Sequence, residues 1–288
     1  MAGAGPAQRF PFVQFEFAFP LGPPDGRYVS RAEASGDPER IVVLRTVGAP
    51  RRSRLSRRAR AVEPGKDAPA PVPTARATVI TATGLGSAEA AGSWLDGLRR
   101  DRDAIESEAA AAARELNVLL RAHRAAALDP YVRDVAPEVA TSVRVGWGSG
   151  DEVADGRYSA ALELPPAGTQ SRVRRRAQAL APDERLAALL GRREEVLACE
   201  ELVLRARTDL DAGRPREAAL QARVALEAAL AELTGDETGL AGARDDVAQA
   251  ANAALRGDPD PALQDAVSEA VAAIETALRR RRLGRAPS

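Results

Sequence analysis

Alternation of apolar and polar residues predicts β-strands in the first half of the chain. Residues 12–19 read FVQFEFAF, and Val13 begins a series of apolar side chains at every second position. A period of two is typical of a strand with one buried face, so the intervening Gln14 and Glu16 are expected to face solvent. The same criterion predicts further strands at 27–31, 41–47, 76–83, 143–147 and 157–164, the last two as a hairpin.

Helical periodicity begins at Ala88 and continues to Leu128. Alanine is abundant there and the next proline is Pro130, so a long helix or a helix pair is predicted, broken near Gly97 or within residues 99–103. Beyond residue 180 the pattern predicts helices alone. Glycine and proline separate four of them, over residues 183–211, 215–233, 239–256 and 261–282.

Aliphatic residues recur every seven positions in the first of these four helices. The two series are Leu189, Val196, Val203 and Leu210, and Leu190, Leu197 and Leu204. A seven-residue repeat indicates packing within a helical bundle or a seam between two copies of the chain.

Together these patterns predict an α+β fold. An N-terminal domain over residues 10–165 is expected to pack an antiparallel sheet of about five strands on a long helix or helix pair. A C-terminal all-α helical bundle is expected over residues 180–283. Prolines and glycines at 165–168 mark the boundary, and an Arg- and Pro-rich insert at 50–74 is expected to loop out of the first domain.

Charge and composition narrow the classes of function. Lys and Arg number 41, as do Asp and Glu, so the formal net charge is zero; this argues against a surface built throughout for nucleic acid or an anionic membrane. The wealth of Ala, Gly, Pro and Arg is typical of a GC-rich bacterial genome.

The N-terminal stretch lacks the unbroken apolar run of a signal peptide, and no segment approaches the roughly 18 consecutive apolar residues of a membrane-spanning helix. A cytoplasmic protein without a membrane partner is expected.

The sequence lacks the residues that several kinds of catalytic and metal chemistry require. With Cys199 and His123 as the single cysteine and histidine, an intramolecular disulfide and a soft-ligand metal cluster are excluded, and no cofactor is expected. His123 has no orienting carboxylate on its helix face, which favours a surface position, and Cys199 lies in an apolar run, which favours a buried and inert thiol. The adjacent carboxylates are expected to lie on solvated helix faces, because neighbouring helical residues point about 100° apart. These pairs are Glu194 and Glu195, Glu200 and Glu201, and Asp245 and Asp246.

Two glycine-rich stretches invite comparison with phosphate-binding loops. Residues 84–92 read GLGSAEAAG between a predicted strand and a predicted helix, which resembles the entry to a dinucleotide-binding fold. Glu89 stands where that fingerprint needs its third glycine, so a strand-to-helix turn with Ser87 as N-cap is the preferred interpretation. The stretch Gly146–Gly150 lies in a hairpin and is not followed by the Lys-Ser of a phosphate loop.

The densest local signal is a run of arginines before a proline-rich stretch. Six of the ten residues from 51 to 60 are arginine: Arg51, Arg52, Arg54, Arg57, Arg58 and Arg60. Guanidinium groups bind phosphates and carboxylates through paired hydrogen bonds, so the run predicts contact with nucleic acid or an acidic partner. No aromatic residue is interleaved, so base stacking is not indicated. The alternative is a solvated loop whose composition follows that of the genome.

Residues 196–233 read VLACEELVLRARTDLDAGRPREAALQARVALEAALAEL, two helical segments joined by a Gly-Arg-Pro turn. This hairpin resembles the helical hairpins of tetratricopeptide-like and HEPN-like bundles. HEPN ribonucleases carry an arginine, four to six further residues and then a histidine. His123 is the single histidine, and the positions for that arginine hold Leu116, Asn117 and Val118. The resemblance therefore implies a helical scaffold without that catalytic motif.

The leading hypothesis for function is a non-enzymatic interaction or scaffold protein, whose helical bundle contacts a protein partner or a second copy of itself. One alternative is nucleic-acid association through the arginine run Arg51–Arg60. Another is an enzyme that uses only Asp, Glu, Arg or Ser and has no recognisable motif. Salt-sensitive binding distinguishes the first alternative, and a deep pocket with convergent carboxylates distinguishes the second.

Overall fold

The computed structural model describes residues 8–31, 33, 35–48, 73–164, 185–233 and 237–283. The chain divides into two compact units, Met1–Gln170 and Ser171–Ser288. In the first unit an antiparallel sheet packs on helices, and the described part of the second unit is helical. The fold class predicted from the sequence is therefore confirmed.

The described part of the first unit has a sheet of six strands, where about five were predicted. They are β1 (Arg9–Phe17), β2 (Gly26–Ser30), β3 (Arg40–Val47), β4 (Thr74–Thr81), β5 (Ser142–Ser149) and β6 (Ala160–Leu164). Their spatial order is β2-β3-β4-β1-β5-β6, and every neighbouring pair is antiparallel. The phenylalanine-rich β1 is thus central, with Val13 opposite Val79 on one side and Val145 on the other.

One face of the sheet is covered by α1 (Ala88–Arg100) and α2 (Arg102–Ala127). Ser87 caps α1 as predicted, because its hydroxyl accepts a hydrogen bond from the Ala90 N–H at 3.1 Å. The predicted break falls at Asp101, whose side chain accepts from the Ala104 N–H and so begins α2. Apolar residues at alternate strand positions pack on both helices: Val13, Phe15, Phe17, Val79 and Val145 of the strands share one cluster with Leu98 of α1 and with Ile105 and Leu116 of α2.

Among the described residues, a one-turn helix between β5 and β6, α3 (Gly150–Ala154), and the loop that follows it lie on the opposite face. Helix α3 packs Val153 over the buried Phe12 and Ile80. The prediction that Gln14 faces solvent was wrong: this side chain is 2% exposed, and its Nε2 donates to Thr78 Oγ1 at 3.2 Å. The reason is that the loop after α3 packs over Gln14: a Cβ built on Gly156 would lie 3.6 Å from Gln14 Nε2.

The described helices of the second unit are α4 (Ala198–Asp211), α5 (Pro215–Glu232), α6 (Glu237–Leu240), α7 (Arg244–Ala254) and α8 (Pro261–Leu283), preceded by helical residues 185–190. The first predicted helix, 183–211, is therefore broken. A turn at 191–194 contains Arg192 with a φ of 52°, and α4 begins only after it. Because of this break, the two seven-residue series do not share one continuous helix.

Alanine forms much of the core of the second unit. Its helices surround one apolar cluster that also holds Val203, Leu226, Val247, Val271 and Ile274. Fully buried alanines are Ala206, Ala218, Ala219, Ala222, Ala225, Ala229, Ala250 and Ala254. Since alanine adds a single methyl group, the helix backbones approach one another closely at these positions.

Candidate functional site

Polar residues line up across the strands on the face of the sheet that carries α3, beyond α3 itself. Gly156, in the loop that follows α3, packs beside Arg76 and Gln14. The register of the antiparallel pairs places the polar residues in two adjacent rows. The first row is Arg45, Arg76, Glu16 and Ser142, and the second row is Thr78, Gln14, Arg144 and Glu163. We call these two rows the polar sheet face.

A half-buried ion-pair network occupies the centre of the polar sheet face. Arg76 donates from Nε and Nη2 to Glu16 Oε1 at 3.1 and 3.0 Å, and Arg144 Nη1 donates to the same oxygen at 3.2 Å. Arg144 also lies 3.5 Å from the Glu163 carboxylate. The side chains of Arg76, Glu16 and Arg144 keep 22–25% exposure, so solvent or a ligand reaches all three.

Positive charge exceeds negative charge on this face. Arg45 lies directly opposite Arg76 on the neighbouring strand, is exposed, and donates to the Leu44 carbonyl at 3.3 Å. Arg27 is exposed on the adjoining β2, opposite Val43 and thus on the same face. Among the strand residues of this face, four arginines therefore stand against Glu16 and Glu163.

The arginine run predicted as a contact site, Arg51–Arg60, lies outside the described residues. Its attachment points are described. Residues 48–73 connect the end of β3 to the start of β4, where Val47 lies opposite Thr74. The insert is therefore attached at the end of the sheet that carries Arg45 and Arg76.

Cys199 is fully buried at the start of α4, as the sequence predicts. Burial raises the pKa of its thiol to about 12, together with a hydrogen bond to Glu232 and the negative charge of that carboxylate. The Glu232 carboxylate, from α5, accepts hydrogen bonds from the backbone N–H groups of Ala198 and Cys199 at 3.1 and 2.9 Å. A buried thiol that is protonated at neutral pH is a poor nucleophile.

His123 lies late in α2 and is half-buried. Within the described residues, no group of three or more His, Cys, Asp or Glu side chains is placed to hold a metal ion.

A cleft of about 590 Å³ lies beside the loop between β2 and β3. It is lined mainly by carboxylates: Glu33, Asp37, Glu39 and Glu115, with Arg40, Thr83, Gly36 and Pro38.

The prediction that Glu200 lies on a solvated face was wrong. This residue is 7% exposed, and Arg185 Nη2 donates to both of its carboxylate oxygens at 2.7 Å. One of those oxygens also accepts the Leu197 N–H at 3.1 Å. No local pattern marks Glu200, because its partner Arg185 lies 15 positions earlier, across the break in the predicted helix. Its neighbour Glu201 is exposed, as predicted.

The outer surface of the α4–α5 hairpin carries exposed aliphatic side chains. Leu204 of α4 is 60% exposed, and Leu220 and Val224 of α5 are 39% and 54% exposed. Leu220 and Val224 are four residues apart and therefore share one helix face. Glu227 lies one turn further along α5 and is bound by Arg244 at 2.6 Å. We call Leu220 and Val224 the apolar hairpin surface.

No protein-family model matches the chain, and comparisons with curated proteins and with solved structures give no significant match either. Within the described part of the chain, no helix has the length and apolar character needed to cross a membrane.

Proposed function

We propose that this chain is a non-enzymatic interaction protein whose helical bundle contacts a protein partner. The apolar hairpin surface carries the proposal, because two aliphatic side chains with 39% and 54% exposure lie on one face of α5, and Leu204 of α4 is exposed on the same hairpin. Covering an aliphatic side chain completely contributes about 1.5–3 kcal/mol, so a partner that buries even part of this surface gains binding energy.

Charged groups beside the apolar hairpin surface would orient a partner that binds there. Glu227 is held between Arg223 at 3.3 Å and Arg244 at 2.6 Å, one turn from Val224. A protein interface has an apolar centre and a polar rim, and rim charges select the partner and the orientation. The partner expected here is an amphipathic helix or loop with apolar residues at its centre.

The test is capture of partners from native lysate by the tagged full chain, with nuclease present. The variant Leu220→Glu/Val224→Glu places charge on the apolar hairpin surface. The control Leu255→Glu alters a residue that is 68% exposed just after α7. We expect the wild type and the control to retain the same protein, and the double variant to lose it while keeping a helical circular dichroism spectrum. Equal capture by all three proteins contradicts the proposal.

Self-association is examined with the purified chain by sedimentation velocity. A dimer in the wild type that dissociates in Leu220→Glu/Val224→Glu identifies the partner as a second copy. A dimer that persists in the double variant shows that copies associate through another surface.

A second candidate function is nucleic-acid association through Arg51–Arg60. The density of arginine in this segment supports the candidate, because six guanidinium groups within ten residues can each bind a phosphate. Replacing the six arginines of the run by serine is expected to abolish binding to a single-stranded oligonucleotide and to remove its steep salt dependence. Unchanged binding excludes this candidate.

A further inference from the structure

We infer that the polar sheet face, with Arg27 beside it, binds an acidic protein segment. This site belongs to the first unit and is independent of the apolar hairpin surface. The ligand class is a peptide that carries several Asp or Glu side chains at intervals.

The first argument is the pairing of like charges. Arg45 and Arg76 lie directly opposite each other on neighbouring strands and on the same face. Like charges at directly opposed positions destabilise a sheet, and Glu16 lies on the far side of Arg76, away from Arg45. A carboxylate placed over both guanidinium groups removes this repulsion and accepts their hydrogen bonds.

The second argument is access. Arg27 and Arg45 are exposed, and Arg76 and Arg144 keep about a quarter of their side-chain surface open. The ion-pair network holds these last two arginines in place before any ligand arrives. Pre-organised arginines lose little conformational freedom on binding, which favours affinity.

The third argument distinguishes a peptide from nucleic acid. Glu16 and Glu163 lie within the rows, beside Arg76 and Arg144, and would repel a continuous line of phosphates. A peptide places its carboxylates opposite the arginines and its backbone N–H groups opposite the glutamates.

The experiment measures binding of the full chain to a fluorescein-labelled peptide of alternating Glu and Gly by fluorescence anisotropy at low salt. The variant Arg27→Ser/Arg45→Ser removes two exposed arginines of the site, and Arg114→Ser/Arg124→Ser removes two exposed arginines of α2. Both variants change the net charge by the same amount. We expect the first variant to bind about five- to tenfold more weakly and the second to bind as the wild type does.

Three outcomes overturn the inference. Equal weakening in both double variants shows an effect of net charge alone. Loss of peptide binding on replacing the arginines of the run 51–60, with no loss in Arg27→Ser/Arg45→Ser, places the site in the insert. Tighter binding of a single-stranded oligonucleotide with the same number of charges, weakened by Arg27→Ser/Arg45→Ser, assigns the site to nucleic acid.

Discussion

Two glycines of the first unit differ sharply in the room around them. Gly146 of β5 lies opposite Ala161 of β6, and a Cβ added there would overlap the Ala160 carbonyl oxygen and lie 2.7 Å from Ala161 Cβ. Gly92, inside α1, has no such neighbour within 4 Å. The two positions therefore predict opposite effects of the same substitution.

We expect Gly146→Ala to lower the free energy of unfolding by about 1–3 kcal/mol, because backbone atoms of β6 must move to admit the methyl group. We expect Gly92→Ala to raise it by about 0.5–1 kcal/mol, since alanine is the better helix former. Urea denaturation followed by circular dichroism measures both. A Gly146→Ala protein as stable as the wild type would show that β6 is not held tightly against β5.

The carboxylate of Glu232 joins two helices through a single side chain. Burial alone would raise its pKa, but hydrogen bonds from Cys199 and Ala198 and the positive charge of Arg281 together lower it below the usual 4.5. A carboxyl group with a lowered pKa in the folded state stabilises the fold above its unfolded pKa. That contribution is lost as the pH falls through the folded pKa.

We therefore expect Glu232→Gln to cost about 1–2 kcal/mol at pH 7, as the loss of a helix cap does. The difference from the wild type should shrink below about pH 4, where the wild-type carboxyl group also becomes protonated. Denaturation at a series of pH values tests this, with the exposed Glu201→Gln on α4 as the control. A difference that is constant from pH 7 to pH 3 would refute the assigned role of the charge.

At the scale of the element, the α4–α5 hairpin depends on small residues. Ala222 of α5 is fully buried, whereas Ala231 of the same helix is exposed. Leucine and alanine are both good helix formers, so replacing either residue by leucine tests packing rather than helix propensity.

We expect Ala222→Leu to destabilise the second unit by about 1–3 kcal/mol, because the larger side chain separates closely packed helices. Ala231→Leu should change stability by less than about 0.5 kcal/mol. The midpoint of guanidinium denaturation compares the two proteins. If Ala222→Leu were tolerated as well as Ala231→Leu, the helices could not be as close as described.

Helices and strands that depend on a local pattern were predictable from the sequence. Contacts between residues that are far apart in the chain were not. The strand β1 and the cap at Ser87 both follow from local signals, and both appear in the structure. The break before α4 was missed because the apolar periodicity continues through it. Arg185 and Glu200 bind each other across this break, and that contact depends on tertiary structure rather than on the helix propensity of the residues.

The same limit applies to the candidate sites. The arginine run is visible in any reading of the sequence, because its members are neighbours. The polar sheet face is not, since Glu16, Arg76 and Arg144 lie on three strands that are far apart in the chain. Only the strand order brings them together, and a hydrophobic pattern does not specify strand order.

At the scale of the whole molecule, each unit has its own apolar cluster. Leu116 belongs to the cluster of the first unit and Val247 to that of the second. A domain with its own core is expected to fold alone.

We expect residues 1–170 and 171–288, produced separately, to unfold cooperatively on heating. The first fragment should give a spectrum with strand and helix components, and the second a helical spectrum. Circular dichroism with thermal denaturation measures both. A fragment that shows no cooperative transition, while the full chain does, would mean that its fold requires the other unit.

The central position of β1 has a consequence for biosynthesis. Gln14 of β1 hydrogen bonds to Arg144 of β5, 130 positions later. A ribosome adds about 5–20 residues per second, so the most aromatic segment of the chain waits roughly 6–26 s before its last neighbouring strand is made. During that interval its phenylalanines lack their final cover. Because β4 is made long before β5, early pairing of β4 with β1 would cover one edge of this segment during that interval.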